Sequence, residues 1–229
     1  MVRLLLIGWI LTCIGSGAHA QEYGHEVWSR FTFGVMHSNT FKQDFEVQYR
    51  DQQSNAFVES RFKLYTFRWY LVFSKHNTFI QLSPFTFFYR DPEDGEEVKE
   101  FRFAQFVGRN FFSKRFQIRT GLEERFFTVS DQQFEELRWR TRLGFMMEVF
   151  ANIHMNISNE FFVRDRLTGV EVNWFDQNRI NVSFPWKIAA WTLEPGYSFQ
   201  TRQISKSDID NFNVVYLNIN YQHKKRTET

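Results

Sequence analysis

The chain has 229 residues, a formal net charge of +2, one cysteine, and 29 phenylalanines within an aromatic content of 19%. So weak a charge, with no basic block beyond Lys224-Lys225-Arg226, offers no surface for tracking phosphates, which argues against nucleic acid as a partner. The single thiol, Cys13, lies in the apolar N-terminal stretch, so disulfides, zinc thiolates and cysteine nucleophiles are excluded from everything after it.

Residues 1–20 read as a secretory signal peptide. Arg3 is the charged start, Leu4 to Ile14 the apolar run, and Ala18-His19-Ala20 the small-x-small cleavage site. The run is too short to cross about 30 Å of hydrocarbon as a helix. Cleavage leaves Gln21 as the mature N-terminus and residues 21–229 as one domain; losing Arg3 lowers the charge from +2 to +1. The alternative, a lipoprotein cut before Cys13, meets Leu11 and Thr12 where small residues belong.

Eleven strand candidates follow, at 26–36, 40–50, 57–72, 77–90, 96–108, 115–127, 133–146, 150–163, 172–184, 188–203 and 212–222. Most reach ten residues, which suits a tilted membrane-spanning strand better than the five or six usual in soluble sheets. Turn-forming residues separate several of them: Asp51 to Asn55, Asp91-Pro92-Glu93-Asp94-Gly95, Ser130-Asp131-Gln132, and Ser205 to Asp210. An up-and-down barrel with both ends on one side of a membrane needs an even number. Either one candidate splits, most readily 57–72, or two merge, so the expectation is 10–12 strands.

The clearest strand is 133–146. Leu137, Trp139, Thr141, Leu143 and Phe145 fall on one face, and Glu136, Arg138, Arg140, Arg142 and Gly144 on the other. Phe45, Val47 and Tyr49 likewise oppose Glu46, Gln48 and Arg50, and Ile180, Val182 and Phe184 oppose Arg179, Asn181 and Ser183. Glu124 is an exception on an apolar face, expected near a membrane surface. Pro84 and Pro195 each remove a ladder donor inside a candidate strand, so a bulge or a strand end is expected at both.

This pattern predicts an all-β fold: an antiparallel up-and-down transmembrane β-barrel in a bacterial outer membrane, with lipid as its surroundings. Alternation also explains a mean hydropathy of −0.44 beside so many phenylalanines. The rival is a soluble lipocalin-type barrel with its apolar face inside. Strand length, the bulk of the apolar side chains, and aromatics near strand ends (Trp28, Trp69, Tyr70, Tyr89, Trp174, Trp186, Trp191) favour the membrane form with an interfacial girdle.

In that form the charged face lines the lumen. Glu100, Arg102, Arg119, Glu123, Arg125, Glu136, Arg138, Arg140, Arg142, Glu160, Arg179 and Glu194 are expected to point inward and pair across strands as a structural network.

Glu100-Phe101-Arg102, Glu136 through Arg142, Asn159-Glu160-Phe161, Asp176-Gln177-Asn178-Arg179 and Glu194-Pro195-Gly196-Tyr197 occur in this order. Together they resemble the outer-membrane barrels classed as domain of unknown function 2490, over most of the mature chain. The resemblance implies an outer-membrane barrel of Gram-negative bacteria and no particular reaction. Its first motif is often Glu-His-Arg, and Phe101 replaces that histidine here.

No residue set points to catalysis, a cofactor or a metal. His154, Ser158 and Glu160 share a face, but the first two stand about 13 Å apart along a strand rising ~3.3 Å per residue, too far for a nucleophile and its base. The six histidines have no metal-ligand spacing, and the acidic turn at Asp91, Glu93, Asp94, Glu96 and Glu97 reads as a solvated loop. The expected role is therefore non-enzymatic: an accessory or scaffold component of a membrane assembly, with other outer-membrane proteins as candidate partners. The alternative is a narrow pore for small solutes, biased toward anions by Arg138, Arg140 and Arg142; a lipid-modifying enzyme ranks below both.

Overall fold

The computed structural model describes residues 24–53, 62–92, 97–129, 132–150, 152–166, 175–203 and 209–224. The strands are β1 (Gly24–Met36), β2 (Phe41–Gln53), β3 (Phe62–Lys75), β4 (Thr78–Pro92), β5 (Val98–Phe111), β6 (Phe116–Val129), β7 (Gln132–Phe150), β8 (Ile153–Arg166), β9 (Phe175–Ser183), β10 (Trp186–Ile188), β11 (Trp191–Gln203) and β12 (Ile209–Lys224). Consecutive strands pair, except β9 with β10, and β1 pairs with β12, so the sheet closes into a barrel. The leader, its cleavage site, Trp174 and most of the acidic turn lie outside the described residues.

β9 and β10 are two lengths of one stave. Both pair with β8 on one side and β11 on the other. The interruption falls at Phe184-Pro185, where proline removes a donor. Phe184 N still donates to Pro195 O at 2.9 Å, and His154 N to Pro185 O at 3.0 Å, so the ladder resumes beyond it.

The barrel thus has eleven staves. No candidate splits to make the number even, and the described part of 57–72 lies within the single strand β3. With an odd number, the first and last staves must run the same way. β1 and β12 accordingly pair parallel, from Gly24↔Phe212 to Met36↔Lys224, while every other pairing is antiparallel. The start of β1 and the end of β12 lie at opposite mouths.

The connections differ in length between the mouths. At one, the staves are joined through residues 37–40, 76–77, 112–115, 151–152 and 189–190. His76, Asn152 and Ala189 take positive φ in the tightest of these. At the other, the strands are separated by residues 54–61, 93–97, 130–131, 167–174 and 204–208, longer stretches except for 130–131.

Pro84 sits at a bulge, as expected: register with β5 shifts between Ser83 and Thr86. Pro195 does not. It stays in register with Leu217 of β12, because its missing N–H faces the gap at Phe184-Pro185. Glu124 points outward between Phe103 and Leu137.

The outer wall is apolar. Trp139, Leu143 and Phe145 are 47%, 45% and 44% exposed, and Phe31, Phe67, Phe101, Phe161 and Leu217 behave alike on other staves. Aromatic rings pair across strands on this surface, including Phe41 with Phe73 (4.8 Å between centroids) and Phe87 with Phe101 (5.0 Å). Tyr49, Tyr65 and Tyr89 form a row toward the long-connection mouth, and Trp191 meets Tyr221 toward the other.

Inside, aromatic rings lie against glycines of the next strand. Phe106 covers Gly121, and Tyr216 covers Gly196. A Cβ on Gly121 would lie 2.0 Å from the Gln105 carbonyl oxygen, a backbone atom that cannot swing away. A Cβ on Gly144 would meet nothing closer than 3.9 Å. Gly121→Ala should therefore destabilise the barrel by about 1–3 kcal/mol, as overpacking does, while Gly144→Ala is tolerated. Urea unfolding of the detergent-solubilised protein separates the two; equal midpoints would contradict the packing described.

Candidate functional site in the barrel lumen

The lumen is built by parity. On each stave every second side chain points inward, and charged residues hold many of those positions, above all on β5 to β8. The register sets Glu123 opposite Arg138, Arg125 opposite Glu136, and Arg142 opposite Glu160. It also sets like charges opposite one another, Arg102 against Arg125 and Arg119 against Arg142. Such pairs are unfavourable unless an acid intervenes. Glu100 binds both members of the first pair, meeting Arg125 at 2.6 Å and Arg102 through both of its oxygens. Glu160 lies 3.5 Å from Arg119 and 3.7 Å from Arg142.

Two carboxylates organise the middle of the network. Glu123 accepts from Arg138, and from Arg140 at 3.1 Å; Arg102 lies 3.8 Å away. Glu160 accepts from Arg140 Nη2 at 2.9 Å on each oxygen. Arg140 is thereby held between two acids on neighbouring staves. Arg138 also reaches Asp176 at 3.3 Å, and Arg125 reaches Glu136 at 2.9 Å.

Ten of the twelve expected residues therefore join one ion-paired network, and two do not. Arg179 donates to Gln177 at 2.8 Å and has no carboxylate within ion-pair distance among the described residues. Glu194 accepts from Ser183 at 2.6 Å and from Asn218 at 3.2 Å, with no guanidinium partner there. For both, the expectation of ion pairing is corrected: Glu160 stands opposite Arg179 in register but is engaged by Arg119, Arg140 and Arg142, and around Glu194 the neighbouring staves present a hydroxyl and an amide.

Sequence reasoning missed other members. Arg202 meets Glu26 at 2.7 Å, Arg68 meets Glu46 at 3.1 Å, and Arg164 meets Asp176 at 3.5 Å. It also misplaced two aromatics. Trp28 and Tyr70 belong to the lumen, not to an outer girdle: Trp28 is buried and donates to Glu26 at 2.6 Å, and Tyr70 accepts from Arg68 at 3.2 Å. Parity held the signal, since Trp28 alternates in step with Glu26 and Arg30, and Tyr70 with Arg68.

Inward rings form a second kind of partner. Arg102 stacks over Phe88 at 3.8 Å, Arg50 over Trp28 at 4.1 Å, Arg138 over Phe162 at 4.9 Å, and Arg119 over Phe106 at 4.9 Å. Each ring face offsets part of the cost of withdrawing a guanidinium from water.

Charges near the long-connection mouth form a band of ion pairs on the lumen wall, each between neighbouring or next-but-one staves: Glu26–Arg202, Arg125–Glu136, and Arg138–Asp176–Arg164. Beyond it lies a central cavity of about 170 Å³ to which all eleven staves contribute. His154, Ser158 and Glu160 do not act together. Ser158 Oγ accepts from Asn181, Glu160 holds arginines, and His154 Nδ1 has no partner. Among the described residues no three His, Cys, Asp or Glu side chains could jointly hold a metal ion.

A family model described as "Protein of unknown function (DUF2490)" matches residues 25–212, from the start of β1 to the first residues of β12. The chain belongs to this family. The DUF2490 match covers the first ten staves, the start of the eleventh and every residue of the ion-paired network above. No curated protein matches the chain.

Proposed function

We propose that this DUF2490 protein is an outer-membrane β-barrel without enzymatic activity, a scaffold or accessory component of a membrane assembly whose lumen is closed by paired charges. The observation that carries this reading is the network of buried ion pairs on the lumen wall from β5 to β9, in which Glu100, Glu123 and Glu160 each hold two or more guanidiniums. Paired charges of this kind fix side chains instead of lining a conducting path.

The outer wall supports a lipid environment. A 13-residue strand such as β1, rising ~3.3 Å per residue and tilted about 45°, spans roughly 30 Å, the thickness of a bilayer's hydrocarbon core. The tyrosine row and the Trp191–Tyr221 pair suit the two interfaces. Short turns usually face the periplasm. That orientation sets the mouth of residues 76–77 and 189–190 inward, with the end of β12, and residues 167–174 outward.

The purified protein in planar bilayers should carry negligible current; a steady single-channel current would overturn the closed-lumen reading. A second reading, a narrow anion path, is favoured by the excess of arginine around the central cavity, and an anion-selective current would promote it. The chain should fractionate with the outer membrane, and mass spectrometry should find its mature N-terminus at Gln21. A soluble periplasmic product, or lipid on Cys13, would contradict this reading.

A further inference from the structure

We infer that the central cavity is a binding site for a small multivalent oxyanion of the phosphate class, held by Arg50 and Arg179. Nine arginines line this cavity against three carboxylates, Glu123, Glu160 and Glu194. Ion pairs to acids in the surrounding wall account for several of the nine; Arg68, for example, is neutralised by Glu46. Arg50 and Arg179 have no such pair, and Glu160, which stands opposite Arg179 in register, is engaged by Arg119, Arg140 and Arg142. Arg50 donates to the Gln48 amide at 3.1 Å and Arg179 to the Gln177 amide at 2.8 Å, and neither has a carboxylate within ion-pair distance among the described residues.

The two guanidiniums are neighbours. Both approach the Trp28 ring, at 4.1 Å and 5.5 Å from its centre. Close, like-charged, dehydrated groups repel in a medium of low dielectric, and a single anion between them removes that repulsion. Their Nε atoms are buried and have no hydrogen-bond partner in the protein, and the same holds for Arg119, Arg140 and Arg142 on the cavity wall. Arg119 and Arg142 share Glu160 Oε1, which Arg140 already occupies, so their charge is only partly met.

Unspent N–H donors on planar forks suit oxyanions, which can accept two parallel bonds from each guanidinium. About 170 Å³ exceeds by roughly tenfold the space one water needs, enough for a hydrated phosphate. Glu194 is the one lining carboxylate with no guanidinium in ion-pair reach among the described residues, and it offsets a single charge of the excess. The imbalance resides in the lumen wall, whatever surrounds the barrel.

The test uses the full mature barrel refolded in detergent, with inorganic phosphate as the probe and sodium chloride of equal ionic strength as the reference. Phosphate should raise the heat-unfolding midpoint in a saturable way, and the ³¹P resonance should broaden in the presence of protein. In R50Q/R179Q the phosphate-dependent rise should shrink at least tenfold in apparent affinity, while the midpoint in chloride stays the same or increases because the repulsion is gone. A midpoint in chloride that falls, with the phosphate response intact, would assign the two arginines a purely structural role and overturn the proposal. Should the double variant not fold, the ³¹P measurement on the unmodified protein decides: no broadening beyond that seen with a control barrel overturns it.

Discussion

Glu123→Ala should destabilise the barrel by roughly 3–5 kcal/mol, the usual result of removing one partner from a buried ion pair. Glu123 is 3% exposed and is the shared acceptor for Arg138 and Arg140, with Arg102 at 3.8 Å. Alanine leaves Arg138 with Asp176 alone, and Arg140 with Glu160, which must already serve Arg119 and Arg142. Three cations then face one another around a void. Glu123→Gln keeps the volume and one acceptor, so its loss should be smaller. The exposed pair Lys99–Glu97, at 3.1 Å, is the control, because solvent and salt screen it; Glu97→Ala should leave the midpoint unchanged. Urea titration followed by the electrophoretic shift between folded and unfolded barrel reads all three. If Glu123→Ala and Glu97→Ala behaved alike, the lumen network would be ornamental to stability.

The strands were legible because period-two alternation is a local property, and Glu136 to Phe145 repeats it for five cycles. The closure was not. Whether eleven staves close evenly depends on the register of all of them together, and no segment announces that β1 will meet β12 in parallel. Pro185 shows the same limit. Sequence ends a strand there, yet the hydrogen bond from Phe184 N to Pro195 O carries the stave across to β10. Within the lumen, Glu123, Arg138 and Arg140 could be named from parity alone. Parity marks Trp28, Phe88, Phe106 and Phe162 for the lumen in the same way, although Trp28 lies near a strand end, which suggested the girdle. The solitary state of Arg50 and Arg179 was beyond reach, since it depends on which amides and acids the neighbouring staves happen to present.

Leu143→Arg should cost about 2–4 kcal/mol if that position faces the middle of a bilayer. Leu143 stands on the outer wall of β7, 45% exposed, opposite Ile118 of β6 and Asn159 of β8. Its neighbour Gly144 faces the lumen near Ser158, with room for a Cβ. The two positions are consecutive and differ only in the side of the sheet they serve, so local strand propensity cancels from the comparison. A soluble barrel of the same shape would present Leu143 to water and accept arginine there at little cost. Residues 24–229 contain no cysteine, so Leu143→Cys and Gly144→Cys can be labelled without background. In lipid vesicles, a membrane-soluble maleimide should reach Cys at 143 while a charged, water-soluble one does not. Position 144 should show no such advantage for the membrane-soluble reagent. If the charged reagent labelled position 143 freely and Leu143→Arg left stability unchanged, the apolar wall would be facing water and the outer-membrane reading would fall, even though the barrel and its internal ion pairs would stand.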